Sequence, residues 1–260
     1  MSAVPTLAGP PGECCRQTVH HDGTPRGTLE DIAGVQTYVA RPPSPGSGAV
    51  AVAPDKSKIV LFFSDVYGAL YANSQLVMDY WADNGYLVLG LDYFEGDSKA
   101  LLDLDDGTFD YPGWIRAKQA RAAVLVPPWL EAVRARYGPE KRYVCVGYCF
   151  GAPYVMDLLK TDWVVAGAFG HPAFLNEDHF RGIKRPLLMS CAEIDHTFPL
   201  DSRRRAEDLL VAQRATYFIQ IFGSVKHGFA LRGDPGVPAE KWAKEESARA
   251  VLNWFGRFCG

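Results

Sequence analysis

The sequence predicts an α/β fold in which a mostly parallel central sheet has helices on both of its faces. Short, nearly continuous apolar runs alternate along the chain with longer segments whose apolar residues recur at helical spacing. Continuous apolar runs are typical of parallel strands that are buried on both faces. No internal repeat or linker divides the sequence, so we expect a single domain over residues 1–260, in which residues 1–27 form a turn-rich N-terminal extension.

Six apolar runs are predicted to be the buried strands of this sheet, because each is short and bounded by turn residues. They cover residues 58–63, 86–94, 142–148, 163–170, 185–193 and 215–222. Before them, DIAGVQTYVARPP at 31–43 alternates as an exposed strand does. Residues 42–57 have the composition of a loop, and residues 95–113 are acidic and irregular.

Five segments with helical spacing are predicted to be the covering helices. They cover residues 73–85, 114–138, 151–160, 202–213 and 239–258. The second of them contains Pro127–Pro128, which indicates either one helix or two with a break at the prolines. The last is strongly amphipathic, as a helix packed on one face of a sheet should be.

The composition excludes several classes of partner. The formal net charge is −3 and the basic residues are scattered, so no nucleic-acid partner is expected. The longest apolar runs, such as VVAGAF at 164–169, are too short to cross a bilayer, so no membrane association is expected. The N-terminus lacks the basic start and apolar core of a signal peptide, which predicts a cytoplasmic protein. We expect the protein to be either a monomer or a homodimer.

Six cysteines are expected to be free thiols, because the sequence has no secretory signal. No pair has zinc-finger spacing, and the adjacent Cys14–Cys15 is poorly arranged for a shared metal, so no metal site and no cofactor are predicted. Cys145 and Cys191 lie within strand-like runs and are interpreted as small buried hydrophobes. Only Cys149 has a context that requires more explanation.

Cys149 lies in VGYCFGAPYV, where a predicted strand passes directly into a predicted helix. G-x-C-x-G in this place is the cysteine form of a nucleophile elbow, whose sharp turn needs small residues at Gly147 and Gly151. The turn would raise the thiol above the carboxyl edge of the sheet, where the helix dipole favours thiolate. The backbone N–H of Phe150 would point at an oxyanion. A tight packing turn with an incidental thiol is the structural alternative.

A nucleophile elbow predicts an acid and then a histidine later in the chain. Asp195 follows the fifth predicted strand and His227 follows the sixth, so both fall on loops at the carboxyl edge. His227 would exchange the thiol proton, and Asp195 would fix its tautomer. Other candidates are Glu193 or Asp201 for the acid and His196 or His171 for the base; we expect His171 to line the pocket or cap a loop instead.

VGYCFGA, EIDHTFP and KHGFA, in this order after LFFSDVYG and LGLDYFEGD, resemble the dienelactone hydrolase family. GPPGECC, GTPRG and IAGVQTYVARPP resemble the opening of its fungal branch, so the similarity covers nearly the whole chain. The resemblance implies the α/β-hydrolase fold and a catalytic triad of Cys149, His227 and Asp195. It also implies an oxyanion hole made by the N–H groups of Phe150 and Val66.

Two positions depart from the pattern that this resemblance implies. The family commonly has Glu in the segment matching SDVYG, where it pairs with the resting thiol and takes its proton; here Asp65 is one methylene shorter. Characterised bacterial members carry Arg shortly after the catalytic His to hold a substrate carboxylate. The matching position is Leu231, with Arg232 next along, which argues against the small anionic dienelactone as substrate.

Aromatic residues are predicted to lie together at the rim of the site, which favours an apolar or aromatic substrate. With His171 and Leu231, the predicted substrate-binding residues include Tyr67, Phe94, Tyr148 and Phe198, while Phe150 and Phe174 are expected at the same rim. The expected function is hydrolysis of an ester or lactone through a thiol-ester on Cys149. The alternatives are a biosynthetic cyclase, lyase or isomerase that uses the same pocket, and a non-catalytic small-molecule binder.

Overall fold

A central sheet of eight strands dominates the structure, a computed structural model that describes residues 4–12, 15, 17–43, 58–98 and 109–260. Its spatial order is β10-β9-β7-β6-β4-β5-β3-β2, and a separate two-stranded sheet pairs β1 with β8. The strands are β1 Thr6–Ala8, β2 Thr28–Ile32, β3 Val35–Ala40, β4 Lys58–Phe63, β5 Leu87–Leu91, β6 Arg142–Cys149, β7 Val164–Pro172, β8 Leu175–Asn176, β9 Leu187–Ile194 and β10 Tyr217–Lys226. All six predicted strands are confirmed within a few residues.

The pairing within the central sheet explains why the buried strands are continuous apolar runs. The six strands from β10 to β5 in this order are parallel to one another, whereas β3 pairs antiparallel with both β5 and β2. Ile59, Leu61 and Phe63 of β4 pack into the hydrophobic cluster on one face, while Val60 and Phe62 pack into the cluster on the other. Both faces are therefore covered, as the sequence predicts.

Seven helices in the described residues connect and cover these strands. They are α1 Ala72–Asp83, α2 Tyr111–Tyr137, α3 Ala152–Leu159, α4 Glu177–Phe180, α5 Leu200–Ala212, α6 Phe229–Arg232 and α7 Pro238–Cys259. The five predicted helices are confirmed, whereas the single-turn helices α4 and α6 were not predicted. None of the helices in these ranges is long and apolar enough to cross a membrane.

The prolines in α2 do not break it, so the possibility of two helices is wrong. Pro127 and Pro128 remove backbone donors, and a proline inside a helix costs about 3 kcal/mol. Buried side chains lie close to the prolines on both sides, among them Leu125 and Trp129, and Trp129 Nε1 donates a hydrogen bond to Thr37 Oγ1 at 2.9 Å. This packing holds the helix together across the proline pair. The helix also begins at Tyr111, so the end of the predicted irregular segment 95–113 is helical; residues 99–108 lie outside the described residues.

The prediction for 31–43 is confirmed in part: the segment contains strand β3, but it also includes the turn of a hairpin, and β3 is not exposed. Ala33 and Gly34 have φ of +55° and +78°, which suits the two central residues of a tight hairpin turn between β2 and β3. Strand β3 is almost entirely buried because it pairs with β2 on one side and β5 on the other. The predicted loop at 42–57 falls mostly outside the described residues.

The N-terminal extension contains a strand that the sequence reasoning missed. Strand β1 pairs antiparallel with β8, and Leu7 and Ala8 are buried. Further along the extension, Gly9 donates its N–H to the Thr197 carbonyl at 2.8 Å and accepts from the Phe174 N–H at 3.0 Å. The extension is therefore tied to loops at the carboxyl edge of the central sheet.

Candidate active site

Cys149 ends strand β6 in a strained turn. Its φ is +47°, a left-handed conformation that is costly for a residue with a side chain. A Cβ at Gly147 would lie 2.5 Å from the Gly151 carbonyl oxygen, and a Cβ at Gly151 would lie 2.3 Å from the Phe63 carbonyl oxygen. Only glycine fits at either position, as the nucleophile-elbow interpretation predicts.

His227 and Asp195 form a hydrogen-bonded pair at the same edge of the sheet. Asp195 follows β9, His227 follows β10, and His227 Nδ1 lies 2.9 Å from Asp195 Oδ1. That oxygen also accepts from the backbone N–H groups of Thr197 and Phe198, and the Thr197 hydroxyl oxygen lies 2.7 Å from it. Since Asp195 engages Nδ1, the Nε2 atom is the ring nitrogen left for proton transfer.

The thiol and the imidazole meet in the centre of this edge. The ligand atoms of Cys149, His227 and Cys15 all lie within 4.8 Å of one another. The predicted nucleophile, base and acid therefore come together in space, although they are far apart in sequence. Thr197, whose hydroxyl lies 2.9 Å from His227 Nδ1 and donates to the Pro172 carbonyl, is an additional member of the site.

Cys15 is the functional candidate that the sequence reasoning missed. Its thiol is buried, and its Sγ lies 3.9 Å from Cys149 Sγ. The prediction that only Cys149 has a context to explain is therefore wrong. The two cysteines are 134 positions apart, so no sequence periodicity could reveal the contact. The N-terminal GECC quoted for the family resemblance was the one signal available.

The helix dipole at the elbow predicts a thiolate on Cys149, but the surroundings of Cys149 favour the neutral thiol. Burial raises the pKa of the Cys149 thiol well above its ordinary value, and its neighbours Cys15 and Asp65 raise it further, while Arg232 lowers it. These surroundings therefore favour the neutral form of the Cys149 thiol.

His227 has the opposite tendency, because its neighbours stabilise its protonated form. Burial alone would lower its pKa, but Cys15 and Asp195 more than offset burial and raise the pKa to about 9. For Asp195, burial alone would raise the pKa, but His227 and Thr197 hold the pKa below its usual value. Asp195 is therefore the anionic partner of the imidazole.

Asp65 forms a buried ion pair with Arg232. Arg232 Nε donates to Asp65 Oδ2 at 2.8 Å, and the Tyr67 N–H donates to Asp65 Oδ1 at 3.0 Å. Both charged side chains are almost completely buried, at 3% and 1% exposure. Burial raises the pKa of Asp65, although Arg232 and the Tyr67 N–H oppose the rise. The guanidinium also lies 5.0 Å from the centre of the Tyr67 ring.

The other acid and base candidates are placed less favourably. Glu193 and Asp201 are exposed, and Glu193 accepts a hydrogen bond from the Ser224 N–H. His196 is exposed, with its ring centre 5.5 Å from that of His227. His171 is fully buried beside His227 at 4.9 Å, and burial together with nearby positive charge lowers its pKa well below the usual value. His171 is therefore a neutral wall of the site.

The predicted substrate-binding residues are all buried, but they do not form one wall. Tyr148 contacts His171, Phe94 packs against Phe150, and Phe150 packs against Phe174. Phe198 instead packs against Phe169 and Phe180 in the core. A cavity of about 370 Å³ lies between α1, α6 and α7, and Leu231 is the one predicted substrate residue among the residues that line it.

The architecture and the site define the class of protein. A mostly parallel sheet with an elbow after one strand, and an acid and a histidine after two later strands, is an α/β-hydrolase fold. Solved structures agree on the fold. A crystal structure of a candidate dienelactone hydrolase from Klebsiella pneumoniae matches 90% of this chain and 99% of its own with a TM-score of 0.70 at 17% identity. Dienelactone hydrolase from Anabaena variabilis matches 92% and 99% with a TM-score of 0.55 at 16% identity.

Sequence comparison narrows the class to a family. The family model for the dienelactone hydrolase family matches residues 47–259. Dienlactone hydrolase 1 of Gibberella moniliformis is 34% identical over 256 residues, covering 96% of this chain and 95% of that protein. Hydrolase pyvD of Aspergillus violaceofuscus is 33% identical, covering 96% and 97%. The chain belongs to the dienelactone hydrolase family, and it is a hydrolase of the ester and lactone class.

Proposed function

We propose that the protein hydrolyses an ester or lactone through a covalent thiol-ester on Cys149, with His227 as acid and base and Asp195 as its orienting partner. One observation carries this proposal. The strained elbow at Cys149 brings its thiol within 4.8 Å of a ring nitrogen of His227, whose Nδ1 is bound to Asp195 at 2.9 Å. A nucleophile, a base and an orienting acid in this order are what acyl transfer needs.

The reaction proceeds in two halves. In the first, Cys149 Sγ attacks the carbonyl carbon, and the thiol proton moves to His227 Nε2. The backbone N–H groups of Phe150 and Val66 stabilise the oxyanion in this proposal. The carbon–oxygen bond then breaks as His227 returns the proton to the leaving oxygen. In the second half, His227 takes a proton from water, the resulting hydroxide attacks the thiol-ester, and the carboxylic acid is released with Cys149 restored as a thiol.

The buried, largely apolar surroundings support the proposed character of the substrate. Phe94, Tyr148 and Phe150 lie in the aromatic clusters nearest the elbow, which suits an apolar or aromatic acyl group. The guanidinium of Arg232 is already paired with Asp65, so an anionic substrate would have to compete for it. We therefore propose a small ester or lactone without a carboxylate as the substrate; a monomer or homodimer located in the cytoplasm stays a prediction.

Asp65 is proposed to hold the resting thiol neutral. Its carboxylate raises the pKa of Cys149 by like-charge repulsion. Asp65→Asn removes this charge and retains an oxygen that can accept the Tyr67 N–H, so the local turn is preserved. We expect iodoacetamide to alkylate Cys149 faster in this variant, by about tenfold for each unit by which the pKa falls, while turnover decreases. Peptide mapping of the labelled cysteines measures the rate.

Cys145 and Cys191 serve as internal references in this experiment, because both are buried thiols away from Asp65 whose pKa burial raises. Faster labelling at all three cysteines would indicate general opening of the structure. Equal rates of labelling at Cys149 in wild type and Asp65→Asn, together with equal turnover, would contradict the role of Asp65 and leave it as a residue that only fixes the turn.

The acid limb of the pH profile of kcat/KM should reflect the pKa of His227. The base must be neutral, so kcat/KM should rise about tenfold per pH unit toward pH 9, where the pKa of His227 lies. Cys15 is the strongest influence that raises this pKa, so Cys15→Ala should move the limb to lower pH. Cys145→Ala is the matched control and should leave the limb in place. An acid limb at the same pH in Cys15→Ala and wild type would show that Cys15 does not set the pKa.

A further inference from the structure

Cys15, Cys149 and His227 offer three metal-ligating atoms in one buried place. The two sulfurs are 3.9 Å apart, and these atoms and the His227 nitrogen all lie within 4.8 Å of one another. All three residues are buried. The hydrolytic mechanism uses Cys149 and His227 and has no use for a second thiol, so the position of Cys15 needs a separate explanation.

The spacing of the two sulfurs matches a tetrahedral zinc site. Zinc binds thiolate sulfur at about 2.3 Å and imidazole nitrogen at about 2.0–2.1 Å, which places two sulfurs about 3.8 Å apart and sulfur and nitrogen about 3.6 Å apart. The observed sulfur–sulfur distance of 3.9 Å already meets this requirement. A disulfide would instead need the sulfurs to close to about 2.05 Å. A bridging metal therefore requires less movement than a bond between the thiols.

The surroundings of His227 are those of a metal-binding histidine. Its Nδ1 is held by Asp195 Oδ1 and lies beside the Thr197 hydroxyl, which leaves Nε2 for a ligand. Nε2 is a buried nitrogen, and the side chain of Cys15 is close enough to His227 to form a hydrogen bond that raises the pKa of the imidazole. A carboxylate that holds the other nitrogen of a ligating histidine is the usual outer support of a zinc site.

The donor set also selects the metal. Thiolate and imidazole prefer zinc to magnesium or calcium, which bind oxygen ligands. Two thiolates, a neutral imidazole and Zn²⁺ together carry no net charge, which reduces the cost of placing the ion in a buried site. Binding converts two thiols to thiolates and, below the His227 pKa of about 9, also deprotonates the imidazolium, so up to three protons are released to solvent and no oxidant or reductant is involved.

We propose that Cys15, Cys149 and His227 bind one Zn²⁺ and that the bound ion stops hydrolysis, because it occupies both the nucleophile and the base. Cys15 then supplies the third ligand, without which Cys149 and His227 would not form a metal site. The binding itself stands on the geometry alone. The loss of turnover rests on the proposed function of Cys149 and His227.

Cobalt titration of the reduced full-length protein tests the binding. Co²⁺ replaces Zn²⁺ in such sites and gives thiolate-to-cobalt charge-transfer and tetrahedral ligand-field absorption. We expect one Co²⁺ per chain with both bands, and loss of the bands on adding Zn²⁺. Cys15→Ala and Cys149→Ala should each weaken binding by about tenfold or more, and Asp195→Asn by about 10–100-fold through the outer support. Cys145→Ala, which removes a buried thiol of the same strand as Cys149, should bind as wild type does.

Turnover measured in parallel separates the two parts of the proposal. Each protein is compared with its own rate in a chelator, and Zn²⁺ should inhibit wild type and Cys145→Ala at concentrations at least about tenfold lower than Cys15→Ala. Absent thiolate bands, or full-strength binding in Cys15→Ala or Cys149→Ala, would overturn the metal site and leave the proposed hydrolysis untouched. Tight binding at the three residues without inhibition would instead contradict the catalytic roles of Cys149 and His227.

Discussion

Replacing Cys149 or His227 with alanine is expected to reduce kcat on an activated aryl ester by on the order of a thousandfold or more, since residues of a catalytic triad act as a unit. In the proposed mechanism, Cys149→Ala removes the atom that forms the covalent bond, and His227→Ala removes the group that moves the proton. Cys149 is completely buried, but the exchange deletes a single sulfur atom, so only a modest stability change is expected. Steady-state kinetics and a thermal melt on the same samples give both quantities.

Cys145→Ala is the matched control for these variants, because Cys145 is a buried thiol on the same strand, four residues before Cys149. It should keep wild-type turnover. Wild-type protein that binds a ligand tightly but turns over no aryl ester, enol lactone or polyketide lactone would favour a binder. Cys149→Ala with undiminished turnover would contradict the cysteine mechanism outright.

Arg232→Met should be among the most destabilising single substitutions in the chain. It leaves the Asp65 carboxylate buried without its ion-pair partner, and breaking a buried pair from one side costs about 3–5 kcal/mol. It also removes the hydrogen bond that Arg232 Nη1 donates to the Gln17 carbonyl, which ties down the N-terminal extension. Chemical denaturation followed by fluorescence should show the loss in the free energy of unfolding.

The double variant Asp65→Asn with Arg232→Met isolates the pair itself. Since no unpaired charge remains, it should be more stable than Arg232→Met alone, which gives a favourable coupling between the two sites. Arg121→Met at the exposed pair with Glu95 is the matched control and should change stability far less. Strictly additive effects of Asp65→Asn and Arg232→Met would show that the two charges do not stabilise each other.

The placement of Cys149, Asp195 and His227 at one edge of the sheet could be predicted because the fold determines it. Cys149, Asp195 and His227 each stand at or just after the end of a parallel strand, and such ends meet at one edge of a sheet. Gly147 and Gly151 then identify the elbow, since the close backbone contacts at both positions leave no room for a Cβ. These inferences need only local pattern and topology.

The features that were missed depend on contacts between distant segments. Cys15 reaches Cys149 through an extension without regular spacing, so its place follows from tertiary contacts alone. The integrity of α2 across Pro127–Pro128 likewise depends on core packing that outweighs the local preference of proline. The raised pKa of Cys149 was predicted from the charge of Asp65, but its largest causes, burial and the neighbouring Cys15, are not contained in a strand-to-helix motif.

Rapid acid quench followed by mass spectrometry tests the cysteine mechanism most directly. Wild-type protein is mixed with an activated aryl ester, quenched at intervals from milliseconds onward, and mapped by proteolysis. The proposed cysteine mechanism predicts one acyl group per chain on the peptide that contains Cys149. Hydroxylamine should release this group, as it does a thiol-ester, and the group should be absent in Cys149→Ala. An acyl group on a different residue, or full turnover with Cys149 unmodified at every quench time, would contradict it.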